Sequence, residues 1–114
     1  MITIFTLNSR VIRAESTDIV MINSVTIPPK HVMLLLADDS LIKRDGALMT
    51  QYLLNNTEQE ITVNPHVRIK NVRPRPSTAF DLAYHQNNLI INEGEVIAHG
   101  VLIEEKDFRQ VDSK

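Results

Sequence analysis

The chain has 114 residues, a net charge of −2 and no cysteine. One domain with a buried core suits that length, and the missing cysteines exclude disulfides, thiolate nucleophiles and Cys-based zinc sites. Hydrophobic residues make up 43% but aromatics only 4%, with no Trp, so the core has to come from Ile, Val, Leu and Met, and the near-neutral charge argues against long-range steering toward nucleic acid or an anionic membrane.

Alternating apolar residues mark a first strand over Ile2 to Leu7. Val11-Ile12 and Ile19 to Ile22 follow, separated by the polar Glu15 to Asp18. Val32 to Ala37 is apolar at every position, which predicts cover on both faces or a place at an oligomer seam. Asp38-Asp39-Ser40 and Lys43 to Gly46 read as turns, and Leu48 to Leu54 as the next strand. Arg73-Pro74-Arg75-Pro76 is extended, because each proline biases its predecessor away from helix. No amphipathic helix of three turns is visible. Residues 1–106 read as one β domain and residues 107–114 as a charged, flexible tail. Met1 to Phe5 lacks the basic and apolar regions of a secretion signal, and no apolar run approaches the roughly 20 residues that span a bilayer. A soluble intracellular (cytoplasmic) or virion protein with no membrane partner is expected.

One arrangement occurs three times: a short apolar strand, a Pro or Gly turn, and a longer apolar strand. The copies are Val25-Thr26-Ile27 before Val32 to Ala37, Ile61-Thr62-Val63 before Val67 to Val72, and Leu89-Ile90-Ile91 before Val96 to Ile103. Their spacing is unequal, 36 residues from Ile27 to Val63 and 28 from there to Ile91, so this is not a solenoid. It reads as the hairpins of an all-β fold, a single-domain jelly roll or β-sandwich of about eight to ten short antiparallel strands.

Chemistry-bearing constellations are sparse. No His-x-His occurs, and His31 and His66 flank turns as surface imidazoles do. Asp38-Asp39, Glu93/Glu95 and Glu104-Glu105 read as solvated acids; neighbours on a strand face opposite ways and cannot share a ligand. No nucleophile elbow or glycine-rich phosphate loop is present. Arg68, Lys70, Arg73 and Arg75 fall within eight residues and form a candidate anion or nucleic-acid patch; protection of an edge strand is the competing reading.

Pro76 to Leu82, then Ile91 to Glu95, then His99 to Ile103 resemble the early part of the trimeric dUTPase family, with its Ala-Gly-x-Asp-Leu segment. Val25 to Leu36 looks like that family's central strand entry. Leu53-Leu54-Asn55-Asn56 through Arg68-Ile69 looks like its closing strands. The resemblance covers roughly Val25 to Glu104, in swapped order, and extends to the dUTPase-like domains of some retroelement polyproteins. The family's Pro-Arg-Ser-Gly segment, its Gly-x-x-Asp with following Tyr, and its glycine-rich lid have no counterpart. The resemblance therefore implies only Asp81 as a site residue, a carboxylate associated with magnesium.

With catalytic signatures missing, the leading expectation is a non-enzymatic oligomeric assembly module of viral or mobile-element origin. Its interface is expected at Met33, Leu35, Leu48 and Tyr52, and it takes no cofactor; its partner is a second copy or another protein. The alternative is a dUTPase-like nucleotide hydrolase or nucleotide-binding protein, with magnesium near Asp81 and Arg68 or Arg75 near phosphates. A third is a nucleic-acid binder using the basic segment.

Overall fold

The computed structural model describes residues 1–79 and 86–112. Asp81 lies outside the described residues. Eleven strands are seen among the described residues: β1 (Ile2–Phe5), β2 (Arg10–Ile12), β3 (Thr17–Met21), β4 (Val25–Ile27), β5 (His31–Ala37), β6 (Gly46–Leu48), β7 (Tyr52–Asn55), β8 (Ile61–Val63), β9 (His66–Asn71), β10 (Leu89–Ile91) and β11 (Val96–Glu104). Among the described residues two short helices are seen in full, α1 (Asp39–Lys43) and α2 (Glu105–Asp112). All pairings are antiparallel, in sheets ordered β1-β11-β5-β7, β3-β9-β6, β10-β2 and β4-β8. The sheets do not close into a barrel. The all-β expectation holds, with a strand or so more than expected.

No described strand pairs with its neighbour in sequence, which corrects the hairpin reading of the three similar segments. The short strands of the first two copies pair with each other, Val25 opposite Val63 and Ile27 opposite Ile61, with the Thr26 and Thr62 hydroxyls 2.9 Å apart. The long strands of the first and third copies pair as β5 and β11. Each turn is therefore a corner that carries the chain from one sheet to another. Left-handed backbone at Lys30 (φ 57°) and Gly94 (φ 79°) makes two of those corners; at Gly94 no Cβ penalty arises.

Leu48 to Leu54 is likewise two strands in two sheets. The break lies at Met49 to Gln51, where Arg68 N donates to Thr50 Oγ1 at 2.9 Å and Leu35 N donates to the Gln51 carbonyl at 2.9 Å. The chain leaves one sheet and joins the other within those residues.

The core is aliphatic as composition requires, with Ile4, Ile22, Ile27, Met33, Ile69 and Ile97 among its fully buried members. Met33 and Leu35, expected at an oligomer interface, point into this core, so their surface is spent within the chain itself. Leu48 packs half-buried against the same core, and Tyr52 is exposed. The outer face of β5 carries Val32, Leu34 and Leu36, and cover falls along it: Val32 is fully buried, Leu34 half-buried and Leu36 exposed. That gradient follows α2, which begins where Glu105 N donates to the Lys30 carbonyl at 2.8 Å. Phe108 of α2 packs against Tyr52 with the rings tilted by 53° and their centroids 4.8 Å apart. Residues read as a charged tail are thus helical as far as Asp112, aided by an Arg109–Glu105 ion pair one turn apart. No helix among the described residues is long and apolar enough to cross a membrane.

Candidate functional site

Asn71, the last residue of β9, has no exposed surface. Its side-chain amide donates to the carbonyls of Ile12 at 2.9 Å and Asn87 at 2.7 Å, and its carbonyl accepts from Arg73 N at 3.0 Å. Its backbone N–H donates to the Ser16 carbonyl at 2.9 Å. One buried amide therefore ties three segments together: the turn after β2, the chain after β9, and residues 86–88. A buried amide with every partner met defines its surroundings tightly, because each lost bond would leave a desolvated polar group.

Above this tie the three segments enclose a polar cleft of about 390 Å³ lined by Arg13, Glu15, Ser16, Arg75, Gln86 and Asn88, among others. Glu15 stands in the left-handed region (φ 63°) at the tip of its turn, which Ser16 N closes onto the Arg13 carbonyl at 3.0 Å. Asn87 Nδ2 donates to the Pro74 carbonyl at 2.8 Å and fixes the opposite wall. Arg13 and Arg75 enter no ion pair among the described residues. Two exposed guanidiniums beside amide and hydroxyl donors suit a multiply charged oxyanion, since each guanidinium offers a planar fork of donors. Glu15 opposes that preference from one wall.

The four basic residues expected to act as one patch are divided by the fold. Arg73 is structural: it donates to the Asn88 carbonyl at 2.9 Å and pairs with Asp45 at 3.4 Å. Only Arg75 reaches the cleft, and there it meets Arg13, a residue sequence reasoning passed over. Arg68 and Lys70 lie on the outward face of β9. That strand is central, between β3 and β6, so its cations do not guard an edge.

A second cluster joins residues read as a solvated turn. Asp38 caps α1, its Oδ2 accepting from Ser40 N at 3.0 Å and Ser40 Oγ at 2.7 Å, while its Oδ1 lies 2.7 Å from His99 Nε2. The Ser40 hydroxyl, the His99 imidazole and the Ser40 amide hold the carboxyl at about 2, against an ordinary 3.8. Because Ser40 donates to the carboxylate and not to the imidazole, this is a capped helix start and not a nucleophile–base pair. Among the described residues no three carboxylate or imidazole groups converge to hold a metal ion.

No family model matches the sequence, and no curated protein matches it. Solved structures do. A mutant dUTPase of Staphylococcus bacteriophage 80alpha, with dUpNHpp, superposes at a TM-score of 0.68 with 18% identity, over 88% of this chain and 76% of its own. A mutant dUTPase from phage phi11 of S. aureus, which coordinates a structural Mg(II) ion, gives 0.69 with 19% identity over 90% and 74%. The native EIAV dUTPase gives 0.58 with 16% identity over 88% and 71%.

The chain has the dUTPase fold. The fold likeness extends over a larger share of the chain than Val25 to Glu104, the stretch in which the resemblance is legible in sequence. Within this dUTPase fold, the Arg13–Arg75 cleft and the Asp38–His99 pair are two places among the described residues where polar groups converge away from the core.

Proposed function

We propose that the chain is a nucleotide-binding protein of the dUTPase kind, with Arg13 and Arg75 seating the phosphates of a deoxynucleoside triphosphate. The observation that carries this reading is the convergence in one polar cleft of two guanidiniums that form no ion pair among the described residues, on a fold shared with phage dUTPases. Hydrolysis to release pyrophosphate belongs to the same reading and rests on Asp81, the carboxylate that the family resemblance assigns to magnesium. The described residues do not themselves form a metal site. Calorimetry with dUpNHpp tests the binding: wild type binds, and Arg75→Ala or Arg13→Ala weakens binding tenfold or more. A wild-type protein that takes up no dUpNHpp overturns the reading. Pyrophosphate release from dUTP with Mg²⁺, lost in Asp81→Asn, separates an enzyme from a binder.

The second reading is the non-enzymatic oligomeric module, of viral or mobile-element origin. It is favoured by the exposed Leu36, Tyr52 and Leu54 on the outer face of the four-stranded sheet, and viral proteins are among the structures of similar fold. Sedimentation distinguishes it: an oligomer that Leu36→Glu dissociates supports it, and a strict monomer at high micromolar concentration ends it.

A further inference from the structure

The outward face of the β3-β9-β6 sheet has an ordered composition. Register places Lys70 between Thr17 and Ala47, and Ile19 opposite Arg68. Met49 N donates to the Arg68 carbonyl on the other side, and Met21 stands opposite His66. The central strand thus carries a line of His66, Arg68 and Lys70 at intervals of about 7 Å, while its neighbours carry the exposed Ile19, Met21 and Met49. Neither Arg68 nor Lys70 forms an ion pair among the described residues, and no carboxylate lies on this face in register. Two cations with no ion pair among the described residues, flanked by exposed apolar side chains at the middle of a sheet, hold no part of the described fold together.

We propose that this face docks an extended acidic peptide segment of a partner protein, its carboxylates following Arg68 and Lys70 and its apolar side chains covering Ile19, Met21 and Met49. Charge complementarity selects an anionic partner. The flanking residues select a peptide over a single-stranded nucleic acid, because bases need aromatic platforms and the imidazole of His66 is the one ring among the described residues of this face. Exposed methionines adapt to varied apolar side chains and are common on such surfaces. The docking face is separate from the Arg13–Arg75 cleft and does not depend on nucleotide binding.

Fluorescence anisotropy with a labelled peptide alternating glutamate and valine tests the proposal, alongside length-matched glutamate–serine and lysine–valine peptides and oligo(dT). The glutamate–valine peptide binds wild type best, and Arg68→Glu with Lys70→Glu weakens it at least tenfold, whereas the remote Lys106→Glu does not. If the double reversal unfolds, Arg68→Gln with Lys70→Gln is used and the same loss is expected. Absence of glutamate–valine binding, or equal binding by wild type and the double variant, overturns the proposal. So does tighter binding of oligo(dT) that the double variant abolishes. Sedimentation of wild type as an oligomer that the double variant dissociates also overturns it, since a second copy would then cover the face.

Discussion

His99 Nε2 lies 2.7 Å from Asp38 Oδ1, joining the middle of β11 to the residue that starts α1. The carboxylate faces the imidazole on one side and both Ser40 donors on the other, so ionisation is favoured and the carboxyl titrates near 2. A carboxyl held below its unfolded value stabilises the fold wherever it is ionised in both states, above about pH 4. That contribution fades as the pH falls toward 2. The thermal midpoint of Asp38→Asn is expected below that of wild type at neutral pH, with the gap shrinking between pH 4 and 2. A gap unchanged at pH 2 would show that the charge is not what matters.

Arg44 closes the far end of α1 onto the corner between β10 and β11. Its guanidinium donates to the Ser40 carbonyl at 3.1 Å and the Ile90 carbonyl at 2.7 Å, and pairs with Glu95. Glu95 is largely covered, so losing its partner leaves a desolvated charge. Arg44→Ala is expected to cost about 2 kcal/mol in urea unfolding, and Glu95→Gln less.

Asn55 is the other buried amide that holds a corner. Its Nδ2 donates to the carbonyls of Ile27 at 2.9 Å and Gln59 at 2.9 Å, and its Oδ1 accepts from Thr57 N at 3.0 Å and Thr57 Oγ1 at 2.6 Å. Asn55→Ala strands several buried groups together and is expected to cost about 3 kcal/mol. Asn56→Ala, one residue along and exposed, should change stability by less than about 0.5 kcal/mol.

Gly46 has no room for a side chain: a Cβ there would run into Leu41 Cδ1 and sit 3.2 Å from the Leu41 carbonyl. Leu41 is fully buried and cannot swing clear. Gly46→Ala should therefore destabilise by about 1–3 kcal/mol. Gly94→Ala meets no atom but must hold φ at 79°, a strain of about 1 kcal/mol.

Because no described strand pairs with its sequence neighbour, nearly every pairing closes a long loop before it is rewarded. Refolding by dilution from urea is expected at the slow end for its size, on the order of seconds. Microsecond refolding would contradict the topology.

Period-two patterning and β-branched composition determine the all-β class and the aliphatic core from the chain alone, because alternation is a local consequence of the pleat. Nothing in the local pattern marks Asn55 and Asn71 as buried ties. Which strands meet is not legible. A Pro-Pro, Asn-Pro or Glu-Gly turn specifies a reversal, but the same turn serves a hairpin or a corner between sheets. Register across the sheets decides that Met33 faces the core and that Arg68 stands on a central strand, while the ties of Asn71 and Asn87 bring Arg13 and Arg75 to one cleft. The Asp38–His99 contact spans 61 residues and leaves no trace in local pattern. Local sequence sets the periodicity of each strand, whereas the partner of each strand is chosen only when the apolar faces of all of them are buried together.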